Sequence, residues 1–407
     1  MNPGERRAAG ALAAVFAVRL LGLFMIYPVF EAYARGLKGA NPAMIGLALG
    51  AYGLTQALLQ IPFGFASDRI GRKTVITIGL LLFAAGSVVA ARASSVEGVL
   101  LGRILQGAGA VGSVVLALVA DLTRPEVRTR AMAMVGVTIG GAFALAIVIG
   151  PPLMALIGVP GIFWLTAVLA LSGIAITLGA VPNPAHPSVQ REAEAVPALF
   201  RRVLRDRELL RLDLGIFALH AILIASFLAV PGLLAANFRT GAGGEWMIYL
   251  PVLVLSVLLM VPAIILAERH GRMKEIFLLA IIVLLASVLL LGFGGSAATV
   301  LVGLVLFFAA FNVMEATLPS LISRFAPAEA KGTAMGVYSS AQFLGIFAGG
   351  ALGGIAQALA GAHGVFVFAA LVALGWLAAA VAMPRRASGT AEAPDASGTA
   401  PHENMTR

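Results

Sequence analysis

Long apolar runs separated by short polar gaps dominate this chain. Between Arg130 and Arg191 no Asp, Glu, Lys or Arg occurs, and the same holds between Lys331 and Arg385. A hydrocarbon core about 30 Å thick takes about 20 helical residues, so each stretch holds two spans. The breaks fall near Gly158-Val159-Pro160-Gly161 and near Gly361-Ala362-His363-Gly364. Further runs lie at 11–34, 43–66, 74–92, 98–120, 212–237, 246–267, 275–294 and 297–323. The pattern predicts an all-α polytopic membrane protein with twelve transmembrane helices. Lipid-facing irregular backbone would leave polar groups unpaired, and the short alternating segments of a β-barrel are missing. Arg6 and Arg7 precede an apolar run of full span length, which predicts a retained first helix and no cleavable signal.

Composition sharpens this reading. Of 407 residues, 60% are hydrophobic and 12% charged, which argues against a water-soluble globule. The chain has no Cys, which removes disulfides, thiolate metal sites and cysteine nucleophiles. The net charge of +9 comes from clusters between apolar runs, a distribution that suits a bilayer and not nucleic acid. Six of the 28 Lys and Arg stand apart: Arg19 and Arg103 inside helices, and Arg35, Lys38, Arg92 and Arg239 in odd-numbered gaps. The others fall in even gaps and at the two ends, so both termini are predicted to be cytoplasmic in a bacterial-type inner membrane.

The chain also repeats itself. Asp68-Arg69-Ile70-Gly71-Arg72 returns as Glu268-Arg269-His270-Gly271-Arg272, and Pro125-Glu126-Val127-Arg128 has an echo at Pro327-Ala328-Glu329-Ala330. Two parallel six-helix pseudo-symmetric halves follow, at 1–181 and 211–384, with a central cavity between them. A basic, Pro-rich cytoplasmic linker at 182–210 joins them, with attraction to anionic membrane lipid as a modest addition. The tail at 385–407, rich in Ala, Ser, Gly and Thr, is predicted to be disordered.

The segment Gly64-Phe65-Ala66-Ser67-Asp68-Arg69-Ile70-Gly71-Arg72-Lys73 resembles the cytoplasmic signature of the major facilitator superfamily (MFS). Arg103 with Gln106 and Gly107, and Gly150-Pro151 in helix five, are similar to the drug/proton antiporter branch. The wording around Arg19-Leu20-Leu21-Gly22, Tyr52-Gly53-Leu54-Thr55-Gln56 and Asp121-Leu122-Thr123-Arg124 looks most like the YajR-type group of exporters. The resemblance implies the twelve-helix MFS fold, alternating access, and a part for Arg103 in proton transfer. Helix five departs from the antiporter motif: Met154 and Ala155 replace its final Gly pair, and Ala146 replaces an upstream Gly.

Charged groups inside hydrocarbon cost about 2.5–3.5 kcal/mol each on insertion scales, so the few present are functional candidates. They are Arg19, Glu31, Arg103 and Glu315, with the titratable His220. Glu315 in helix ten and His220 in helix seven belong to the group types that exchange protons near neutrality. The alternatives are a permanently protonated or paired Glu and a packing His. Arg103 and Arg19 can tune or bind, or they can anchor helix ends. Glu31 reads as a solvated carboxylate at the outer mouth.

Asp68 and Arg72, with Asp121, form the expected latch. Asp68 suits the positive N-terminus of helix eleven near Gly332, and these contacts are expected only when the cytoplasmic side is shut. Arg69 and Lys73 read as positive-inside anchors. Gly136 and Gly140 in helix five, and Gly345, Gly349 and Gly353 in helix eleven, are expected to pack against the opposite half. Phe24, Tyr27, Phe217, Phe227, Phe308, Phe311 and Asn312 are the candidate cavity walls.

These features predict a proton-coupled exporter of small amphipathic or cationic organic molecules, with a proton-coupled uptake symporter for a sugar, organic acid or peptide as the alternative. A nontransporting membrane sensor is the remaining class. Its expected partners are protons, a small-molecule substrate and membrane lipid, with no nucleic acid, metal or cofactor and no oligomerisation beyond a monomer. No enzyme motif for metal, nucleophile or phosphate chemistry is present.

Overall fold

A computed structural model describes residues 1–183 and 196–382. In chain order the helices are α1 (Pro3–Phe24), α2 (Phe30–Ala34), α3 (Pro42–Ile70), α4 (Arg72–Arg92), α5 (Val96–Ala108), α6 (Gly112–Asp121), α7 (Pro125–Gly179), α8 (Val196–Val203), α9 (Arg207–Asn237), α10 (Trp246–Arg269), α11 (Met273–Phe293), α12 (Ala297–Phe325) and α13 (Lys331–Val381). Among the described residues, ten helical stretches are long and apolar enough to cross a membrane, with α5 and α6 making one. The helices α7 and α13, at 55 and 51 residues, are each twice the span length, which brings the crossings to twelve. Both kink where the sequence predicts a break. Gly158 takes φ 67° in α7, a left-handed value available to Gly without steric cost, and α13 leaves helical geometry at Ala360 and Gly361.

Local chemistry sets the boundaries. Asn2 and Glu5 form a capping box before Pro3, Asn41 caps α3 ahead of Pro42, and the Asp206 side chain accepts from the amides of Glu208 and Leu209. That cap starts α9 at Arg207, four residues before the sequence-based boundary. The run at 11–34 is one helix by hydropathy but two in the structure. Pro28 has no amide to donate and would crowd the carbonyl of Phe24, so the chain turns through 25–29 before α2. The linker calls at Pro184, Pro187 and Arg191, and the tail from 385, lie outside the described residues.

The signature turn shows the repeat most directly. Gly71 has φ 96° and its counterpart Gly271 has φ 63°, so both copies use Gly where an L side chain would be strained.

Two faces of the bundle differ. We call the face that carries residue 3, the signature loops and α8 the basic face, and the other the distal face. On the distal side α3 and α13 meet backbone to backbone. A side-chain carbon on Gly46 would strike the Gly350 carbonyl, and one on Gly50 would sit 2.8 Å from the Phe347 carbonyl. The same α3 stripe continues through Ala57 and Gln60 to Gly64, and the α13 stripe continues to Gly336 and Gly332. There nothing lies within 4 Å of the added carbon. The two helices therefore touch at the distal end and part toward the basic face. A second seam does likewise: Gly243, before α10, sits against Pro151, Pro152 and Ala155 of α7, while Gly136 and Gly140 meet nothing. The bundle is closed at the distal face and open at the basic face.

Candidate functional site

Titratable groups gather where α9, α12 and α13 meet. His220 is 6% exposed and lies seven residues, two helical turns, above Asp213 on one face of α9. Its Nδ1 is 3.2 Å from the Ile216 carbonyl, which suits an N–H donor at that nitrogen. Its Nε2 is then free to accept from the Gln342 amide of α13 at 2.9 Å. The Glu315 carboxylate of α12 stands 3.9 Å from the same Nε2, with its Oε2 buried and without a hydrogen bond. The side chain of Glu315 is 34% exposed, so one edge of this acid still faces open space. Protonation of His220 at Nε2 would present an N–H to Glu315, so the imidazole and carboxyl can share one proton.

Asp213 falls inside the run at 212–237 and is not among the sequence-predicted site residues. It is 6% exposed and neither carboxylate oxygen has a partner. Tyr338, one turn from Gln342 on α13, is likewise buried with an unpartnered hydroxyl. Asn312 donates to Ser256 of α10 at 2.9 Å, which ties two helices of one half together.

The opposite half carries permanent charge. Arg103 is 1% exposed; its guanidinium donates to Gln106 at 2.9 Å and to the Leu49 carbonyl at 3.2 Å, and lies over the Tyr52 ring. Arg19 donates to Tyr52 at 2.8 Å, Gln56 at 2.9 Å and the Gly109 carbonyl at 3.1 Å. That carbonyl leaves the helical ladder because the fourth span breaks between α5 and α6, and it also accepts from the Val111 amide at 2.9 Å. All these partners are neutral oxygens, so between them the two arginines fasten spans one, two and four of this half, and Arg19 also lies over the Phe83 ring of span three.

Aromatic rings bridge the halves. Tyr27 meets Phe227 at 5.8 Å, and Phe143 of α7 packs on Phe24 at 5.2 Å, Phe311 at 5.8 Å and Phe308 at 6.4 Å. Phe311 also packs edge-on to His220. Phe143, absent from the sequence-based set, is the centre of this cluster. Phe217 is half-buried, and its backbone supports Gly345.

At the basic face, Arg72 pairs with Asp68 at 2.6 Å and Asp121 at 3.1 Å and donates to Ser67. Lys73 reaches the Val181 carbonyl at 2.7 Å, and Arg69 is exposed. The expectation that the Asp68, Arg72 and Asp121 contacts form only with the cytoplasmic side shut is corrected, because they are present while the basic face is open. The reason is that all three groups belong to one half. Three further expectations change: the Gly345 stripe, the Gly136 and Gly140 step, which meets nothing of the opposite half, and Glu31. Gly345, Gly349 and Gly353 pack on α9 of their own half, and Gly350 and Gly354, on the adjacent face of the helix, reach across to α3. Gly150 packs under Met25 and Pro28, so helix five's Gly-Pro step holds span one. Glu31 is 3% exposed, not solvated.

Among the described residues no cluster of three or more His, Asp or Glu could hold a metal ion. The family model described as Major Facilitator Superfamily matches this chain twice, over 12–240 and 212–402. The inner membrane transport protein YajR of Escherichia coli is 47% identical over 385 residues, 94% of this chain and 84% of that protein. The multidrug resistance protein MdtH of Aeromonas salmonicida is 26% identical over 351 residues, 85% of this chain and 86% of that protein. Among solved structures, a D-xylose–proton symporter superposes with a TM-score of 0.72 at 16% identity, over 90% of this chain and 96% of that one. At that identity the likeness concerns the fold alone.

Proposed function

Starting from the fact that this chain belongs to the Major Facilitator Superfamily, and so is a multi-pass membrane transporter and not an enzyme, we propose that it is a proton-coupled exporter of small amphipathic or cationic organic molecules. The observation that carries this is the Glu315–His220 pair, an unpartnered acid oxygen 3.9 Å from an imidazole beside space that opens at one face. A group that exchanges one proton there, and is exposed to alternate sides as the halves rock, links proton movement to substrate movement. The aromatic cluster around Phe143 offers ring faces to a flat or cationic solute, and cation–π attraction adds about 0.5–2 kcal/mol per contact. Proton and cationic substrate then compete for Glu315, which is the requirement for antiport.

Orientation follows from charge. The basic face is cytoplasmic by the positive-inside rule, which puts both termini inside and the distal face outside. The relative named as an inner membrane transport protein and the relative named for multidrug resistance support this location and this direction. No cofactor is required, because the proton gradient supplies the energy, and each chain encloses its own route as a monomer. The departures at Met154 and Ala155 favour one second reading, proton-coupled uptake, since Ala155 lies in the seam beside Gly243 where an exporter's glycines are expected.

The test is flux in proteoliposomes under an imposed pH gradient with organic cations and with sugars. Wild-type protein moves an organic cation against the proton flow, and Glu315→Gln reduces proton-driven flux at least tenfold while folding normally. Flux unaffected by Glu315→Gln overturns the coupling assignment, and movement of solute with protons establishes uptake.

A further inference from the structure

The distal closure encloses a cavity of about 530 Å³ that the Glu315 site does not use. Both halves build it, with Glu31, Arg35 and Ile45 from the first and Leu228, Gly232 and Gln357 from the second. Glu31 is 3% exposed, and its carboxylate accepts from Arg35 one turn on and from the Gln357 amide at 3.3 Å across the seam. Both donors meet Oε1, which leaves Oε2 unclaimed among the described residues. Gln357 also donates to the Leu228 carbonyl at 2.9 Å. With its N–H groups given to two acceptors, the orientation of this amide is fixed, and its Oε1 can only accept. That oxygen is buried, and among the described residues nothing donates to it. Two acceptors, one from each half, thus stand at the cavity wall without donors. Arg35 is committed to Glu31 through Nε, and its side chain is otherwise 66% exposed. A carbon added at Gly232 meets nothing within 4 Å, so the space continues beside α9. Its volume is that of a small-molecule pocket.

We propose that this cavity binds a small primary ammonium compound with an apolar body, and that the bound amine holds the distal face shut. An ammonium carries three N–H donors and no acceptor, so one group answers Glu31 Oε2 and Gln357 Oε1 together. The apolar body lies against Ile45 and Leu228. An occupant held in this way ties α2 of the first half to α13 of the second, and it opposes the step in which the two part. That such an amine acts from outside the cell rests on the orientation and alternating access proposed above. The binding itself does not, and it makes no use of Glu315.

Because the chain lacks Cys, single thiols report both ends of the purified protein. Gly232→Cys places one on the cavity wall, and Gly336→Cys places one toward the open end of α13, where nothing lies within 4 Å. Ala242→Cys, in the exposed loop after α9, serves as the control for the maleimide reagent. The probe is 2-phenylethylamine, charged at neutral pH, with the neutral 2-phenylethanol as its isostere. The amine should slow labelling at Gly232→Cys about threefold or more, leave Gly336→Cys as fast or faster, and leave Ala242→Cys unchanged. The alcohol should give no protection at the same concentration. Adding Glu31→Gln or Gln357→Met should raise the amine concentration for half protection about tenfold or more, whereas Glu315→Gln should leave it within about twofold. Equal protection by amine and alcohol overturns the proposal, and so does protection that survives both Glu31→Gln and Gln357→Met. Protection lost in Glu315→Gln places the amine at the coupling site and also overturns it. Slower labelling at Gly336→Cys overturns the assignment of the amine to the shut distal face. Labelling needs no solute flux, so its outcome stands apart from the direction and coupling of transport.

Discussion

The two halves descend from one pattern yet hold their buried charge in opposite ways. The first half places Arg103 and Arg19 against neutral oxygens, where a guanidinium stays charged at every physiological pH. The second half places Asp213, His220 and Glu315 with few partners or none. A permanent charge bonded through its terminal nitrogens is a fastener, even with its Nε buried and unpartnered, and an under-satisfied titratable group is a device that can change state. The fold is duplicated, but the chemistry is divided between its copies.

The largest effect should come from removing a fastener. Arg103→Leu leaves Gln106 and the Leu49 carbonyl buried without their donor, and losses of this kind cost about 2–4 kcal/mol. The thermal midpoint of the purified protein should fall by the same amount at pH 6 and pH 8. A drop confined to one pH would make Arg103 part of the exchangeable set. Next in size, Glu315→Gln should leave that midpoint within about a degree of wild type while proton-driven flux falls at least tenfold. A comparable loss of stability would mean that the acid also fastens. Asp213→Asn should slow flux about threefold and raise the midpoint slightly, because an unpartnered buried carboxyl is replaced by a neutral amide. Unchanged flux would remove Asp213 from the proton route.

The smallest effect is expected at the surface, where Arg202 pairs with Glu329 at 2.7 Å. The Glu329 carboxyl is held below its usual range, first by its own backbone amide and then by Arg202. A carboxyl lowered in this way contributes above its unfolded pKa and loses the contribution as pH falls through the folded value. Glu329→Gln should therefore change flux less than twofold at neutral pH, with the difference from wild type vanishing in strong acid or high salt.

The sequence discloses the spans because hydrocarbon imposes one length and one polarity on every segment. It also discloses the duplication, down to the turn glycines Gly71 and Gly271. Glu315, His220 and Arg103 stand out because charge in such runs is rare. Other features depend on which surfaces meet. Glu31 is buried by α9 and α13, which arrive some 200 and 330 residues later, and no local pattern carries that. Gly345 and Gly350 lie about 140° apart around the helix, so a stripe of small residues does not say which stripe faces which helix. Phe143 is not legible either, because nothing local to helix five places its ring among those of Phe24, Phe308 and Phe311. Which end is shut is also silent in the pattern, since Gly46 and Gly64 present the same small surface at both ends of α3.

That last symmetry has a mechanical consequence. Gly46 and Gly64 are 18 residues apart, which makes α3 a rigid arm about 27 Å long from its distal contact to its free end. Swinging it by about 10° moves the free tip roughly 5 Å, about the width of an aromatic ring, so glycine contacts near one end give a small rotation enough leverage to admit a solute at the other.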